Sequence, residues 1–153
     1  MSRPPADATA RAVGLLSRRE HSRRELTRKL MAKGAAPEEA REVVAALAEK
    51  GWQDDGRFAQ ILARTRASAG YGPLRVRMEL DQHGVPADAA AAAMADEVPS
   101  WEAVAEAYAL RRWTADDASD PARRRKALDQ LLRRGFDRDA AEAALAAVAG
   151  SGA

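Results

Sequence analysis

The segment Ser22–Pro37, SRRELTRKLMAKGAAP, carries the punctuation of one helix from its start to its stop. Ser22-Arg23-Arg24-Glu25 has the form of a capping box, in which the serine hydroxyl accepts from the backbone of Glu25 and the glutamate reaches back to Ser22. Leu26 and Leu30 stand at i and i+4, which places them on one face. Gly34 suits the left-handed residue just past a helix end, and Pro37 suits the first turn of the helix that follows. The same spacing returns twice: Leu26-x3-Leu30-x3-Gly34 is echoed by Val76-x3-Leu80-x3-Gly84 and by Ala127-x3-Leu131-x3-Gly135, so the stop glycines lie 50 and 51 residues apart. A recurrence of that length marks an array of helical units rather than a single enzyme pocket.

Each unit reads as three helices. In the first, a helix starting at Thr9 and carrying Ala12, Val13, Leu15 and Leu16 is interrupted at His21-Ser22. A third helix runs from Pro37 through Val43, Val44 and Leu47 to about Lys50. In the second, an aspartate of Gly51-Trp52-Gln53-Asp54-Asp55 caps a helix with Phe58, Ala59, Ile61 and Leu62. Gly70-Tyr71-Gly72-Pro73 stops it, Pro73 opens the next helix, and Pro86 opens an alanine-rich one to about Val98. In the third, Ser100 caps a helix bearing Trp101, Val104, Ala105 and Tyr108, and Thr114–Asp120 reads as a polar loop. Asp120-Pro121 then starts a helix that Gly135 ends, and Asp137 caps the last one to about Ala149. The expected fold is all-α, with three tandem three-helix repeats at 9–50, 51–99 and 100–149 in an elongated array, curved or straight. Residues 1–8 and 150–153 are expected to be disordered tails.

Composition bounds the function classes. Hydrophobic residues make up 46% of the 153, but many are alanines and only three Trp, two Tyr and two Phe supply large anchors, which predicts a thin core. No cysteine is present, so disulfides and cysteine zinc sites are excluded. Neither a membrane span nor a signal segment is legible, which predicts a soluble cytoplasmic protein, most simply a monomer, that does not engage membranes. Charge is uneven: residues 1–50 hold 11 basic against 7 acidic residues, 51–100 hold 5 against 7, and 101–153 hold 9 against 9. Local basic runs of this kind favour an anionic partner.

No phosphate-binding loop, nucleophile motif or dinucleotide glycine loop is present, so catalysis is not expected and no cofactor is implied. Asp54 and Asp55 read as one helix cap and one solvent-exposed residue, not as metal ligands, and His21 and His83 stand at helix boundaries without a spaced partner. The candidate binding residues are basic. Arg23, Arg24, Arg28 and Lys29 spread over the outward side of the helix whose inward face is Leu26 and Leu30, with Arg18 and Arg19 just before it. Arg123, Arg124, Arg125 and Lys126 lie near a helix N-terminus, where they oppose the macrodipole, so an external role reads better than a local one. Arg64, Arg66, Arg75 and Arg77 flank the turn that holds Tyr71. Arg75 and Arg77 serve either a partner or their own i, i+4 carboxylates Glu79 and Asp81. Phe58 and Trp101 are expected in the core, and Tyr71 is the aromatic best placed to stack on a base.

The residues Leu16-Ser17-Arg18-Arg19-Glu20-His21-Ser22, Glu25-Leu26, Lys29-Leu30 and Lys33-Gly34 are joined by three further groups. These are Gly51-Trp52-Gln53-Asp54-Asp55 with Arg57-Phe58-Ala59, Gly70-Tyr71-Gly72-Pro73, and Arg75-Val76-Arg77 with Glu79-Leu80. In this order and spacing the sequence resembles the bacterial RecX family, regulators of the recombinase RecA. The resemblance is dense over the first two repeats and thin in the third, where Leu131-Leu132-x2-Gly135-Phe136 remains. It implies a protein of tandem three-helix repeats lying along the RecA filament on single-stranded DNA, with double-stranded DNA as a further target. Such a protein inhibits or modulates the filament's recombinase, ATPase and coprotease activities in DNA repair and the SOS response. Two other readings remain open on the residues alone: a single-stranded nucleic-acid-binding helical module that acts without RecA, and an adaptor for acidic proteins.

Overall fold

The computed structural model describes residues 5–152. Among these the chain is helical throughout: α1 (Pro5–Arg18), α2 (Arg23–Ala32), α3 (Pro37–Glu49), α4 (Asp55–Ser68), α5 (Pro73–Gln82), α6 (Ala87–Glu97), α7 (Trp101–Arg112), α8 (Ala115–Ser119), α9 (Pro121–Arg133) and α10 (Arg138–Gly150). None is long and apolar enough to cross a membrane.

The recurring glycine has the same job each time. Gly34, Gly84 and Gly135 all have positive φ, at 104°, 74° and 101°. Behind each, the next residue donates back to the helix: Ala35 N–H to Leu30 O at 3.1 Å, Val85 N–H to Leu80 O at 3.0 Å, and Phe136 N–H to Leu131 O at 3.2 Å. The glycine N–H itself reaches Met31, Asp81 or Leu132 at 2.9–3.1 Å. This pair of bonds is the Schellman closure, and it brings the residue after glycine onto the leucine three places before the cap. Ala35, Val85 and Phe136 are accordingly buried beside Leu30, Leu80 and Leu131. The leucine-to-glycine spacing therefore encodes a packed helix end.

Proline at the first turn and serine, threonine or aspartate at the cap set the starts. Ser100, Asp120 and Asp137 accept from Ala103, Arg123 and Ala140. Ser22 Oγ accepts from Glu25 N at 3.0 Å, but the reciprocal half of the capping box is not made. The Glu25 carboxylate turns instead to Arg19.

The chain divides into two compact units. One runs up to Ile61 and includes Leu80–Ala93; the other comprises Leu62–Glu79 and the chain from Met94. In the first, Ala8 and Ala12 of α1, Leu26 and Leu30 of α2, and Ala40, Val43, Val44 and Leu47 of α3 form one core. In the second, α10 lies on α7, α8 and α9, and Ala105, Ala109, Leu128, Leu131, Phe136, Leu145 and Val148 fill the space. Alanine contributes many of the buried positions, so the few large side chains carry most of the apolar area.

Three expectations need correction. α1 starts at Pro5 rather than Thr9, because proline fits a first turn and Ala8 already packs inward, so residues 5–8 are helix and not tail. At the other end Gly150 still belongs to α10; residues 1–4 and 153 of the expected tails lie outside the described residues. The Thr114–Asp120 loop contains α8, held by a complete capping box in which Thr114 and Asp117 each accept from the other's backbone. Trp101 is only half-buried at the start of α7 and stands outside the core that Phe136 anchors, whereas Phe58 is buried as expected.

Candidate nucleic-acid interface

The predicted binding cations separate into two groups by what their side chains touch. In the first unit, Arg19 grips the Glu25 carboxylate with both terminal nitrogens, at 3.2 and 2.7 Å. Lys29 Nζ lies 3.7 Å from the same carboxylate and donates to His21 Nε2 at 3.0 Å. That contact requires a neutral imidazole whose Nδ1–H donates to the Arg19 carbonyl, 3.1 Å away. Arg24 donates to the Gln82 carbonyl at 3.1 Å. Arg23 and Arg28 are exposed and form no ion pair among the described residues, and neither does Arg18.

In the second unit, Arg66 holds Glu79 in a fork at 2.8 and 2.9 Å, and Arg75 approaches the same carboxylate at 3.4 Å. The i, i+4 partner expected for Arg75 is therefore present, while Arg77 is exposed and makes no pair with Asp81. Arg64 pairs with Glu97 at 3.6 Å. Tyr71 is half-buried, with the guanidinium of Arg134 at 4.1 Å and that of Arg75 at 5.0 Å from its ring centre. Arg134 also stacks on Tyr108 and donates to the Gly70 and Ala69 carbonyls at 2.9 and 2.6 Å, so this ring belongs to an internal cation–π stack.

The basic run of α9 also divides. Arg123 pairs with Asp117 at 3.6 Å and Arg124 with Glu142, whereas Arg125 and Lys126 are exposed and form no ion pair among the described residues. The first half of this run also has local partners, because α8 and α10 bring carboxylates to it from outside the helix. Among the described residues, Arg18, Arg23, Arg28, Arg77, Arg125 and Lys126 are the predicted cations whose side chains form no ion pair or hydrogen bond.

The motif Gly51-Trp52-Gln53-Asp54-Asp55 turns out to be a seam. Asp54 Oδ1 caps α4 by accepting from Arg57 N at 2.9 Å. Asp55 accepts from Arg23 N at 2.8 Å and from Gln53 Nε2 at 3.1 Å, so it supplies an acceptor to the first turn of α2. Buried Gln53 also donates to the His21 carbonyl at 3.2 Å. Arg57 ties Glu20 to the carbonyls of Gly51 and Trp52. Ser22 Oγ lies 2.7 Å from His83 Nδ1, whose ring packs on Phe58. Apart from the Asp54 cap, none of these bonds joins residues at helical spacing within one element.

Burial disfavours the His21 imidazolium, and the charges of Arg19 and Lys29 add to this against the pull of the Arg19 carbonyl and Glu25, leaving its pKa below the ordinary 6.5. Burial pushes the Glu25 carboxyl up, but the Arg19 hydrogen bonds and the charges of Arg19, His21 and Lys29 more than reverse it, so its pKa falls below the usual range. Both groups have folded pKa values below their unfolded ones, so the unfolded chain protonates first as pH drops and stability is lost in that direction. The histidine contribution is complete above about pH 6.5 and erodes below it, whereas that of Glu25 erodes only below about 4.5. The melting temperature should therefore decline between pH 7 and 5.5, and His21→Asn should flatten the decline. An equally steep slope in that variant would locate the titration elsewhere.

Sequence models of two RecX domains match the chain: the first three-helix domain at residues 8–47 and the second at 54–94. Regulatory protein RecX of Stenotrophomonas maltophilia is 54% identical over 129 residues, covering 84% of this chain and 79% of that protein. The chain belongs to the RecX family. Regulatory protein RecX of Xanthomonas campestris pv. campestris is likewise 54% identical over 127 residues, covering 83% and 78% of the two chains. The crystal structure of RecX from Lactobacillus salivarius superposes with a TM-score of 0.76 at 18% identity, covering 94% of this chain and 96% of that one. At that identity the likeness speaks to the fold. Many of the residues that carry RecX character here, among them Arg19, Ser22, Gln53, Asp55, Arg57 and Gly72, are occupied in holding helices together.

Proposed function

We propose that this RecX chain regulates RecA by binding its filament on single-stranded DNA, acting by attachment and without catalysis. The observation that carries the reading is family membership, at 54% identity over most of the chain with proteins named as regulators. The exposed cations without internal partners support it, since an exposed charge that forms no pair contributes little to the fold and remains available to phosphates and carboxylates. Arg18, Arg23, Arg28 and Arg77, with Arg125 and Lys126 of the third repeat, are the contacts; Arg19, Arg66 and Arg124 are structural. The direct test adds purified chain to RecA on single-stranded DNA and follows ATP hydrolysis. Suppression at near-stoichiometric amounts is expected, and an unchanged rate at low salt would overturn the reading.

Removing Arg18, Arg77, Arg125 and Lys126 together, each to alanine, should weaken filament binding by about 10-fold or more at roughly 0.1 M salt and flatten its salt dependence. Melting should be nearly unchanged. Arg66→Ala should do the reverse, lowering the melting temperature because Glu79 loses its fork while binding is largely kept. Binding insensitive to the fourfold change would remove these residues from the interface.

A further inference from the structure

Four arginines of the first unit meet at one open pocket of about 520 Å3: Arg23, Arg24 and Arg28 from α2 and Arg41 from α3. Arg41 is an exposed residue of α3, and nothing in the sequence spacing ties it to the α2 run. Arg23, Arg28 and Arg41 are exposed and form no ion pair among the described residues. The one carboxylate on the rim, Asp55, has an oxygen held by the Arg23 backbone and Gln53. Arg24 is held in advance: its Nη1 donates to the Gln82 carbonyl at 3.1 Å, and a Cβ on Gly84 would lie 3.0 Å from its guanidinium. A glycine at that turn leaves the room in which the guanidinium rests.

Gathering four like charges in a concavity opposes folding, and the cost is relieved when anions enter. Each guanidinium presents paired N–H donors that match two oxygens of one tetrahedral group, and a single carboxylate would satisfy only one of the four. Successive phosphates fixed along one chain would satisfy several at once. We infer that this pocket is a phosphate clamp, holding consecutive phosphates of a nucleic-acid strand or of a nucleoside polyphosphate, with Arg41 as a gripping residue beside the α2 arginines. The inference deepens the strand-binding part of the proposed function and rests on it only in that respect.

The test uses the full chain without RecA, following anisotropy of a labelled oligothymidine and competing it with inorganic triphosphate, ATP and poly-glutamate. Arg41→Ala should weaken strand binding at least about 10-fold, as loss of a charge-assisted fork does. Arg41→Lys should stay weakened, because an ammonium lacks the fork. Arg133→Ala, which removes an exposed cation of α9 that forms no ion pair among the described residues, should change it by less than about twofold. Competition by triphosphate weaker than by unlabelled strand assigns the clamp to nucleic acid, and stronger competition by ATP assigns it to free nucleotide; both support a phosphate site. Equal effects of Arg41→Ala and Arg133→Ala, or displacement by poly-glutamate as effective as by strand, would overturn it. Because RecA is absent, this failure removes the clamp alone, whereas an unaltered chain without effect on RecA hydrolysis removes the regulator reading.

Discussion

A single methyl group added at position 72 will destabilise the protein by about 3 kcal/mol. Gly72 has ordinary φ and lies in the turn before α5, so backbone conformation alone would admit alanine. Space does not: a Cβ there would sit 2.4 Å from the carbonyl carbon and oxygen of Gly135 and 2.6 Å from Phe136 N. These are backbone atoms of the left-handed turn that ends α9, which no side-chain rotation can move aside. Across the same contact Gly72 N–H donates to Arg134 O at 2.8 Å and Leu74 N–H to Gly135 O at 3.0 Å. The start of α5 thus gives its orphan donors to the orphan carbonyls ending α9, with the two helix dipoles joined favourably. Separating the backbones to admit a methyl loses both bonds, and Gly72→Ala should melt on the order of 10 °C lower than the parent. Gly14→Ala is the matched control. Gly14 lies inside α1 with nothing within 4 Å of its added Cβ, so the change should raise stability by about 0.5–1 kcal/mol. A Gly72→Ala protein that melts with the parent would show that the two turns do not touch in solution.

The longer helices and their glycine stops were the legible part of this fold, and for a local reason, whereas α8 and the start of α1 were not. A Schellman closure needs a glycine and a buried residue on either side of it, all within six positions, so Leu30 to Ala35 states its own geometry. The five-residue α8 has too few positions for an apolar period, and its signal was the Thr114-Asp117 box alone. Charge was harder to read. The pairs Arg66–Glu79, Arg57–Glu20 and Arg124–Glu142 join residues 13, 37 and 18 positions apart, and no helical spacing foretells them. An outward arginine therefore reads the same in sequence whether a distant carboxylate waits for it, as for Arg124, or none does, as for Arg125. The same blindness hid Arg41, whose relation to Arg28 exists only once α2 and α3 pack. It also hid the role of Asp55, which offers its carboxylate to the first turn of a helix other than its own. Motifs dense enough to betray a family were thus mostly seams of the fold, and the residues left free to bind are less distinctive as letters.

Leu30→Ala should cost about 3–4 kcal/mol, near the upper part of the range for buried leucine. The first-unit core explains why. Its members are Ala8, Ala12, Leu26, Leu30, Ala35, Ala40, Val43, Val44 and Leu47, so four of nine are alanines that have no rotamer with which to fill a void. Leu30 is 1% exposed and occupies the position on which Ala35 folds back through the Leu30 carbonyl, so truncation removes transfer energy and the contact that accompanies the helix stop. The site cannot collapse without shifting α2 against α3, and the cavity term stays nearly whole. Leu74→Ala deletes the same atoms from α5 where the side chain is 52% exposed, and its cost should stay below about 1 kcal/mol. Chemical denaturation of the two variants measures the difference directly. A gap under about 1 kcal/mol would mean that the alanine-rich helices slide together after truncation, and that this core is held by backbone closures more than by its few leucines.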